Sequence, residues 1–456
     1  MSKSSEPTPV NPYFYGGPIK DPHDFFGREE QILTVFERLT KGGSTSLIGQ
    51  RMSGKTSLLH YLMTGVAQSP YPFDAHSFVF VYVDPQLGLR GPHEFYRKVV
   101  EAVAKQLPSV VPDAGSEVDE EQLLSVLEKL APRRLVLLLD EFQTITSVGT
   151  FPPDFFRALR WFAEHLNVCF VTATTENLYE CCPPEVVSSP FPNIFAATYL
   201  GSWTQSEFDH FLAETSKRSD APILRQESAI YSLAGRFPFY VQMACSFYFD
   251  VWRQHGQIGF QDHVSIKQRF TDEARPCFER VWKRHLTLKE KAALVTLTHA
   301  KGLSDGLTLR RLTQKGWVLD AHVFSSAFAE YILRQEAEGE TPPLDVLTVP
   351  RRPAAKGIWV DKEAGEVWVD GKRVSPLTSL EYKLLLCLYN SPNYICNKYD
   401  IVRAVWSGEY MERVDDSRIA KLVSRLRKRV EPDPARPHHI VTVHGRGYRL
   451  ITREMQ

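Results

Sequence analysis

An α/β domain built on a parallel sheet, followed by a helical region and a small C-terminal domain of helices and a hairpin, is the fold class that this sequence predicts. Three observations predict it. The octet Gly49-Gln50-Arg51-Met52-Ser53-Gly54-Lys55-Thr56 stands between a β-branched and apolar run, 44–48, and an amphipathic pattern, 56–66. Further apolar runs, at 76–83, 134–139 and 168–172, alternate with helical patterns and end in polar residues, as strands of a parallel sheet do when both faces are buried. Beyond residue 356 the texture changes to short alternating strands, three helical patterns and a terminal hairpin.

The composition sets the bounds. A chain of 456 residues is too long for one core, and the length predicts about three domains. Lys+Arg and Asp+Glu are equal at 54 each, so global charge argues neither for nor against nucleic acid. No apolar run approaches the roughly 18 residues that span a bilayer, and residues 1–11 are polar and lack a secretory signal. No membrane partner is expected. Seven cysteines without metal-site spacing read as reduced thiols of a cytoplasmic protein. Adjacent Cys181 and Cys182 read as two loop thiols.

Residues 1–20, with several Pro and Gly, predict an irregular arm. Phe25-Phe26-Gly27-Arg28-Glu29-Glu30 opens a helix to about Leu39, with acidic residues in the first turn where the helix dipole favours them. The octet follows. Strand, Gly-bearing loop and helix are the setting in which G-x-x-x-x-G-K-[ST] cradles phosphate. Gly49 and Gly54 let the backbone turn tightly and bring N–H groups onto phosphate oxygens at a helix N-terminus. Lys55 is placed to reach the β- and γ-phosphates, and the Thr56 hydroxyl to ligate Mg²⁺. Gln50, Arg51, Met52 and Ser53 in the loop, and Ser57 behind Thr56, complete the expected contact set. A nucleoside triphosphate is the predicted ligand.

The run 134–139 ends in Asp140-Glu141, and the run 168–172 in Ala173-Thr174-Thr175-Glu176-Asn177. From Trp203 the pattern turns helical. In the segment 234–242, Gly235 suits a helix C-cap and Pro238 the first turn of the next helix.

These motifs, taken in order, resemble AAA+ ATPases of the STAND and origin-recognition groups. The segment 25–30 is similar to their "hhGRE" box, which sits over the adenine, so the resemblance implicates Gly27 and Arg28. The run 134–141 resembles a Walker B strand. Such a strand delivers Asp140 to the Mg²⁺ shell and places Glu141 to polarise the attacking water as general base. A polar sensor residue follows the next strand in these relatives, and Thr174, Thr175 and Asn177 are equal candidates for it. Pro238 matches the proline of the "GxP" lid motif, which packs on the adenine. The resemblance implies a P-loop (AAA+-like) ATPase core over 21–200, a helical lid over 201–260 and a winged-helix-like subdomain over 261–336. A linker of Pro, Arg, Glu and Ala is expected over 337–355.

In the C-terminal domain, 356–456, Thr378-Ser379-Leu380-Glu381 has capping-box spacing before an apolar run. The third helical pattern places Ile419, Leu422, Val423, Leu426 and Val430 on one stripe, and Arg418, Lys421, Ser424, Arg425, Arg427, Lys428 and Arg429 elsewhere. The hairpin adds His444, Arg446 and Arg449. Positive charge concentrated in one unit of a neutral chain is the footprint of a DNA binder. The stretches PLTSLEYKLLLCL, VDDSRIAKLVSRLRKRVEPDP and IVTVHGRGYRL resemble the OmpR/PhoB-type winged helix-turn-helix domain over residues 356–452. In that family the third helix enters the major groove and the hairpin wing the minor groove. The resemblance assigns Arg418, Lys421 and Ser424 to base edges or nearby phosphates, Arg425 and Arg427, beside Lys428, to the backbone, and Thr442, His444 and Arg446 to the wing. Family members often carry Arg where Ser424 and His444 stand, so half-site preference does not carry over.

The expected function is an ATP-dependent transcriptional regulator whose nucleotide state controls self-association and binding to double-stranded DNA. A DNA-anchored ATPase platform for transposition, defence or replication is one alternative. A nucleotide-gated signalling protein that does not touch DNA is another. A slow ATP hydrolase acting as a switch fits the first reading. No internal repeat of fixed period is present, which leaves a separate signalling protein, or ATP itself, as the source of the input.

Overall fold

The structure is a computed structural model. It describes all residues except 1–9, 65–72, 86–87, 111–117, 148, 184–185, 187–190, 301–304, 342–356, 362–365, 375–376, 390–394, 407–415, 444–445 and 452–456. The chain forms two compact units, Met1–Leu347 and Thr348–Gln456. Most of the expected linker, 342–355, lies outside the described residues.

The first unit begins with the arm. Its described part, 10–20, has no regular structure. Then follow α1 (Glu29–Thr40), β1 (Ser44–Ile48), α2 (Lys55–Thr64), β2 (Phe78–Val83), α3 (Pro92–Gln106), α4 (Glu120–Leu130), β3 (Arg134–Leu139), α5 (Gln143–Ser147), α6 (Pro153–His165), β4 (Val168–Thr174), α7 (Leu178–Cys181) and β5 (Phe195–Tyr199). The five strands form one parallel sheet in the order β2-β3-β4-β1-β5. Strands β1 and β4 are wholly buried and β3 nearly so, which explains their unbroken apolar or β-branched sequences. Separate apolar cores lie on the two faces. One gathers α1 and α2 around Leu47, Val136, Leu138 and Val171; the other gathers α3, α4 and α6 around Val81, Leu137 and Phe170. In this order the C-terminal end of β1 adjoins that of β4, which in turn adjoins that of β3. The loops after all three strands therefore meet at one edge.

The helical region holds α8 (Gln205–Ser219), α9 (Glu227–Ala234), α10 (Pro238–His255), α11 (Phe260–Arg280) with a π-helical extension Val281–His285, α12 (Leu288–Thr298), α13 (Gly306–Gln314), the two-stranded hairpin β6 (Val318–Leu319) and β7 (His322–Val323), and α14 (Ser326–Ala337). Threonines close capping boxes at α8 (Thr204 with Glu207) and α12 (Thr287 with Glu290), each stabilising its helix start by about 1 kcal/mol. Gly235 caps α9 with φ +56°, and a Cβ there would meet the Phe324 carbonyl oxygen at 2.1 Å. One apolar core runs from Tyr13 through Trp203, Phe237 and Trp317 to Ile332. The segments 201–260 and 261–336 thus share a core that the arm also enters.

The second unit holds β8 (Ile358–Asp361), β9 (Glu366–Val369), β10 (Lys372–Arg373), α15 (Ser379–Tyr389), α16 (Lys398–Trp406), α17 (Asp416–Val430), β11 (Ile440–Val443) and β12 (Gly447–Leu450). The first three strands form an antiparallel sheet and the last two a hairpin. Ile358, Leu385, Ile401, Leu422, Leu426, Ile440 and Leu450 join in a core of this unit's own. The predicted capping box is present: Thr378 N donates to Glu381 at 2.9 Å, and Glu381 N to the Thr378 hydroxyl at 3.4 Å. Among the described residues no helix is long and apolar enough to cross a membrane.

Candidate functional site

The loop between β1 and α2 is shaped by its glycines and one further residue. A Cβ on Gly49 would meet Ser53 Oγ at 2.5 Å and the Leu200 carbonyl at 2.8 Å, so nothing larger fits. Gly54 has φ +91° and Met52 φ +67°, the left-handed backbone that turns successive N–H groups inward. Gly49 N donates to the Thr174 carbonyl at 3.1 Å, tying the loop to the end of β4. Lys55 is buried, and its ammonium donates to the carbonyls of Gly49 (2.8 Å) and Gln50 (3.1 Å). Burial lowers its pKa to about 8 against the opposing pull of Glu141 and Asp140. The side-chain oxygens of Gln50 and Ser53 are buried without a partner among the described residues. Arg51 is exposed and Thr56 half-buried. Ser57 Oγ accepts from Ile19 N at 3.0 Å, so it anchors the arm.

Asp140 is buried at the end of β3 and accepts from the Tyr82 hydroxyl (3.0 Å) and from Glu141 N (2.9 Å). Burial first, then Asp140, raises the Tyr82 pKa, so the phenol remains a donor. Glu141 takes φ +41°, a strained conformation for a residue with a Cβ, and the Gln143 amide donates to its carboxylate. At the end of β4 the Thr174 hydroxyl donates to the Glu176 carbonyl at 2.7 Å, and Asn177 caps α7 by accepting from Tyr179 N at 3.0 Å. Thr175 is half-buried.

Gly27 and Arg28 both have positive φ, +74° and +71°. A Cβ on Gly27 would meet Trp203 Nε1 at 2.7 Å, so glycine permits the close approach of the helical region. Arg28 is buried, and its guanidinium donates to the carbonyls of Ser53 (3.0 Å) and Gly201 (2.6 Å), while the Glu207 carboxylate accepts from its backbone N–H. Burial lowers its pKa to about 10, countered by Glu207 and Glu29, and the side chain stays charged. The guanidinium hydrogen bonds of Arg28 brace the phosphate loop to the start of the helical region. Gly27 lines a neighbouring depression with Tyr61 and His210.

A cavity of about 340 Å³ is lined by the loop 51–57, Arg28, Glu141, Trp203, Pro238, Phe239, Gln242 and the arm residues 14–19, whereas Gly27, Gly49, Gln50, Asp140, Thr174, Thr175 and Asn177 are not in its lining. Pro238 sits at the first position of α10, as its sequence setting predicts. The arm was not anticipated here. Asn11 Nδ2 donates to Ser246 O (3.2 Å), Ser246 Oγ (2.9 Å) and Asp250 (3.0 Å) on α10, and Tyr13 is buried in the helical core. Apolar Tyr13, Phe14 and Tyr15 in an otherwise polar arm were the signal available for it. The glycines, Lys55, Thr56, Asp140 and Glu141 together suit a nucleoside triphosphate with Mg²⁺.

In the second unit α17 buries Ile419, Leu422, Val423, Leu426 and Val430, the predicted stripe. Arg418, Lys421, Ser424, Arg425 and Lys428 are exposed, as is Arg446 at the turn of the hairpin. Arg427 differs from the sequence expectation. Its guanidinium donates to the Ile440 carbonyl from Nε (3.0 Å) and Nη2 (2.7 Å), and to the Thr442 hydroxyl (2.8 Å). Arg427 and Thr442 thus bond each other and fix the hairpin to the helix, because β11 offers the Ile440 carbonyl and the Thr442 hydroxyl to the last helical turn. Glu431, unremarked in the sequence, accepts from the N–H groups of His438 (2.8 Å), His439 (2.9 Å) and Ile440 (2.6 Å), fastening the loop between α17 and β11. His444 lies outside the described residues.

Comparison with known proteins fits both units. Residues 371–450 match the family described as Transcriptional regulatory protein, C terminal. The chain is 38% identical over 91 residues to the uncharacterized transcriptional regulatory protein YrkP of Bacillus subtilis, covering 20% of this chain and 38% of that protein. It is also 38% identical over 84 residues to the DNA-binding dual master transcriptional regulator RpaA of Synechocystis, covering 18% and 33%. This chain therefore spans only about a third of the length of these relatives. The Walker-type ATPase PABY2304 of Pyrococcus abyssi shares the fold at 14% identity, with a TM-score of 0.50 over 70% of this chain and 99% of that one. Residues 38–302, more than half of the chain, match Novel STAND NTPase 2, and the chain belongs to that family.

Proposed function

We propose that this chain is an ATP-dependent transcriptional regulator, in which the nucleotide state of the first unit controls self-association and so DNA binding by the second. One observation carries the reading: a phosphate loop facing a paired-carboxylate strand end, joined in one chain to a compact unit that exposes a basic helix. In this reading the loop N–H groups and Lys55 hold the phosphates. Thr56 and Asp140 would hold Mg²⁺, which would supply neutralisation of the phosphate charge. Glu141, kept in place by Gln143, accepts the proton of the attacking water, and Thr174 or Thr175 completes the γ-phosphate surroundings. Pro238 packs on the base. Arg28 senses occupancy indirectly, since it bonds both Ser53 of the loop and Gly201 of the helical region. Arg418, Lys421, Ser424, Arg425 and Lys428 face DNA from the helix, and Arg446 and His444 from the wing. Arg427 and Thr442 position that wing.

The second unit has its own core, so a fragment of residues 356–456 is a fair probe. Alone it presents few phosphate-reaching cations and binds DNA weakly. Copies held together by ATP-bound first units engage tandem half-sites, adding about 10²–10⁴ in avidity without new contacts. Full-length protein with ATP should therefore bind its site at least a hundredfold more tightly than the fragment in a mobility-shift titration. Equal affinity would rule out nucleotide-driven assembly as the switch. Steady turnover stimulated by DNA of any sequence would favour an ATPase platform instead.

Two side chains of the exposed face separate backbone from base contacts. Arg425→Ala should weaken all DNA sequences alike and flatten the log–log salt slope by about one unit. Lys421→Ala should also relax preference at one base position. A selection from randomised DNA with each variant checks both, and unchanged preference for Lys421→Ala would remove it from the base-reading set.

A further inference from the structure

We infer that Phe14 is a base-binding residue, its exposed ring stacking on the base of a nucleotide in the cavity beside the phosphate loop. The inference rests on the nucleotide reading above and gives the arm a part in it. Tyr13 is buried, with its ring edge-on to Phe211 and Phe249 at centroid distances of 6.0 and 6.1 Å. Tyr15, two residues on, is half-buried and meets Phe239 and Phe247 edge-on at 6.0 and 5.9 Å. Phe14 between them is turned the other way, the in-and-out alternation that extended chain produces. It is 52% exposed and lies outside the helical core that takes both tyrosines. Among the described residues no other ring packs on it.

Phe14 lines the cavity that also holds Lys55, Thr56 and Pro238, and borders an adjoining cavity of about 450 Å³. Two glycines shape its seat. A Cβ on Gly16 would meet Phe14 Cε2 at 3.2 Å, and one on Gly17 would meet Cε1 at 3.7 Å, so the ring rests against bare main chain. The arm is fastened on either side of this stretch. Asn11 donates to Ser246 and Asp250 of α10, and Ile19 N donates to Ser57 Oγ of α2. The ring is therefore in place before a ligand arrives, and little ordering entropy is lost on binding. An apolar ring left open to water is stabilised when a flat ligand ring covers it. A nucleoside base is such a ring, and the phosphates joined to it suit the loop 51–57 in the same cavity. Stacking uses the face of the base and ignores its edge, so Phe14 adds affinity without choosing between bases.

The test uses the full chain with adenosine diphosphate, guanosine diphosphate and inorganic pyrophosphate, which carries phosphates and no base. In isothermal titration, Phe14→Ala should weaken each nucleotide that the unaltered protein binds by a similar factor, about five- to a hundredfold, the range of one lost base–aromatic stack. Pyrophosphate affinity should not change. Phe14→Tyr, which keeps the ring, should bind nucleotide as the unaltered protein does. Unchanged nucleotide affinity in Phe14→Ala would overturn the inference. So would a loss that extends equally to pyrophosphate, because the arm would then be acting on the loop and not on the base. Should pyrophosphate bind too weakly to measure, the contrast between Phe14→Ala and Phe14→Tyr decides, and an equal loss in both would overturn the inference. If no ligand binds the unaltered protein, the nucleotide reading of the loop fails, and this inference with it. Nucleotide binding that Lys55→Ala abolishes and Phe14→Ala leaves intact keeps the loop reading and removes Phe14 alone.

Discussion

Lys55→Ala should abolish nucleotide binding in a titration of the full chain. The ammonium it removes is the loop's buried cation, held ready against the carbonyls of Gly49 and Gln50. Phosphate offers that cation a stronger, charged partner, so binding transfers it from two neutral carbonyls to anionic oxygens. A pH dependence follows. In the free protein, burial lowers the Lys55 pKa to about 8, and bound phosphate raises it. Below pH 8 the group is charged in both states, and affinity is independent of its titration. Above pH 8 the free protein has lost the proton and must regain it on binding, so affinity falls by up to about tenfold per pH unit until the raised pKa is reached. Affinity that is unchanged in Lys55→Ala would overturn the phosphate-cradle assignment. A flat profile between pH 7 and 9.5 would remove Lys55 as the group that titrates.

Glu141→Gln should retain nucleotide and lose turnover, by about 10²–10⁴. The amide matches the carboxylate in shape and keeps a side-chain oxygen to accept from Gln143. The strained backbone at Glu141, φ +41°, is asked of glutamine just as of glutamate. Only the capacity to take a proton from water is lost. Asp140, which accepts from Tyr82 and from the backbone N–H of residue 141, is untouched, so nucleotide affinity is the internal control. Single-turnover measurement with bound ATP separates chemistry from release. Hydrolysis that persists at the original rate would move the base to another group.

The sequence determined the features that rest on local rules. Two glycines and a lysine at fixed spacing, strands apolar because both faces are covered, Thr378 three residues before Glu381, and a five-residue apolar stripe on α17 are each written within a dozen positions. Each was found where the pattern put it. Gly235 and Pro238 belong here too, since a left-handed cap and a first-turn proline are backbone requirements of the residues themselves.

Only the tertiary structure decided what depends on contacts between distant segments. Arg28 reads locally as part of a helix start, yet it bonds Gly201, 173 positions away. Asn11 reaches Ser246 across 235 positions, bringing the arm to the nucleotide cavity. Arg427 looked like one more exposed cation of a basic helix, because helical periodicity places a residue on a face without saying what else approaches that face. Strand β11 approaches it, and the Ile440 carbonyl captures the guanidinium. A periodic pattern records what a segment requires of its own backbone and of a generic apolar core. The pairing of one polar atom with another is fixed by where the chain returns, and that is set when the sheet order and the shared helical core bring remote segments together.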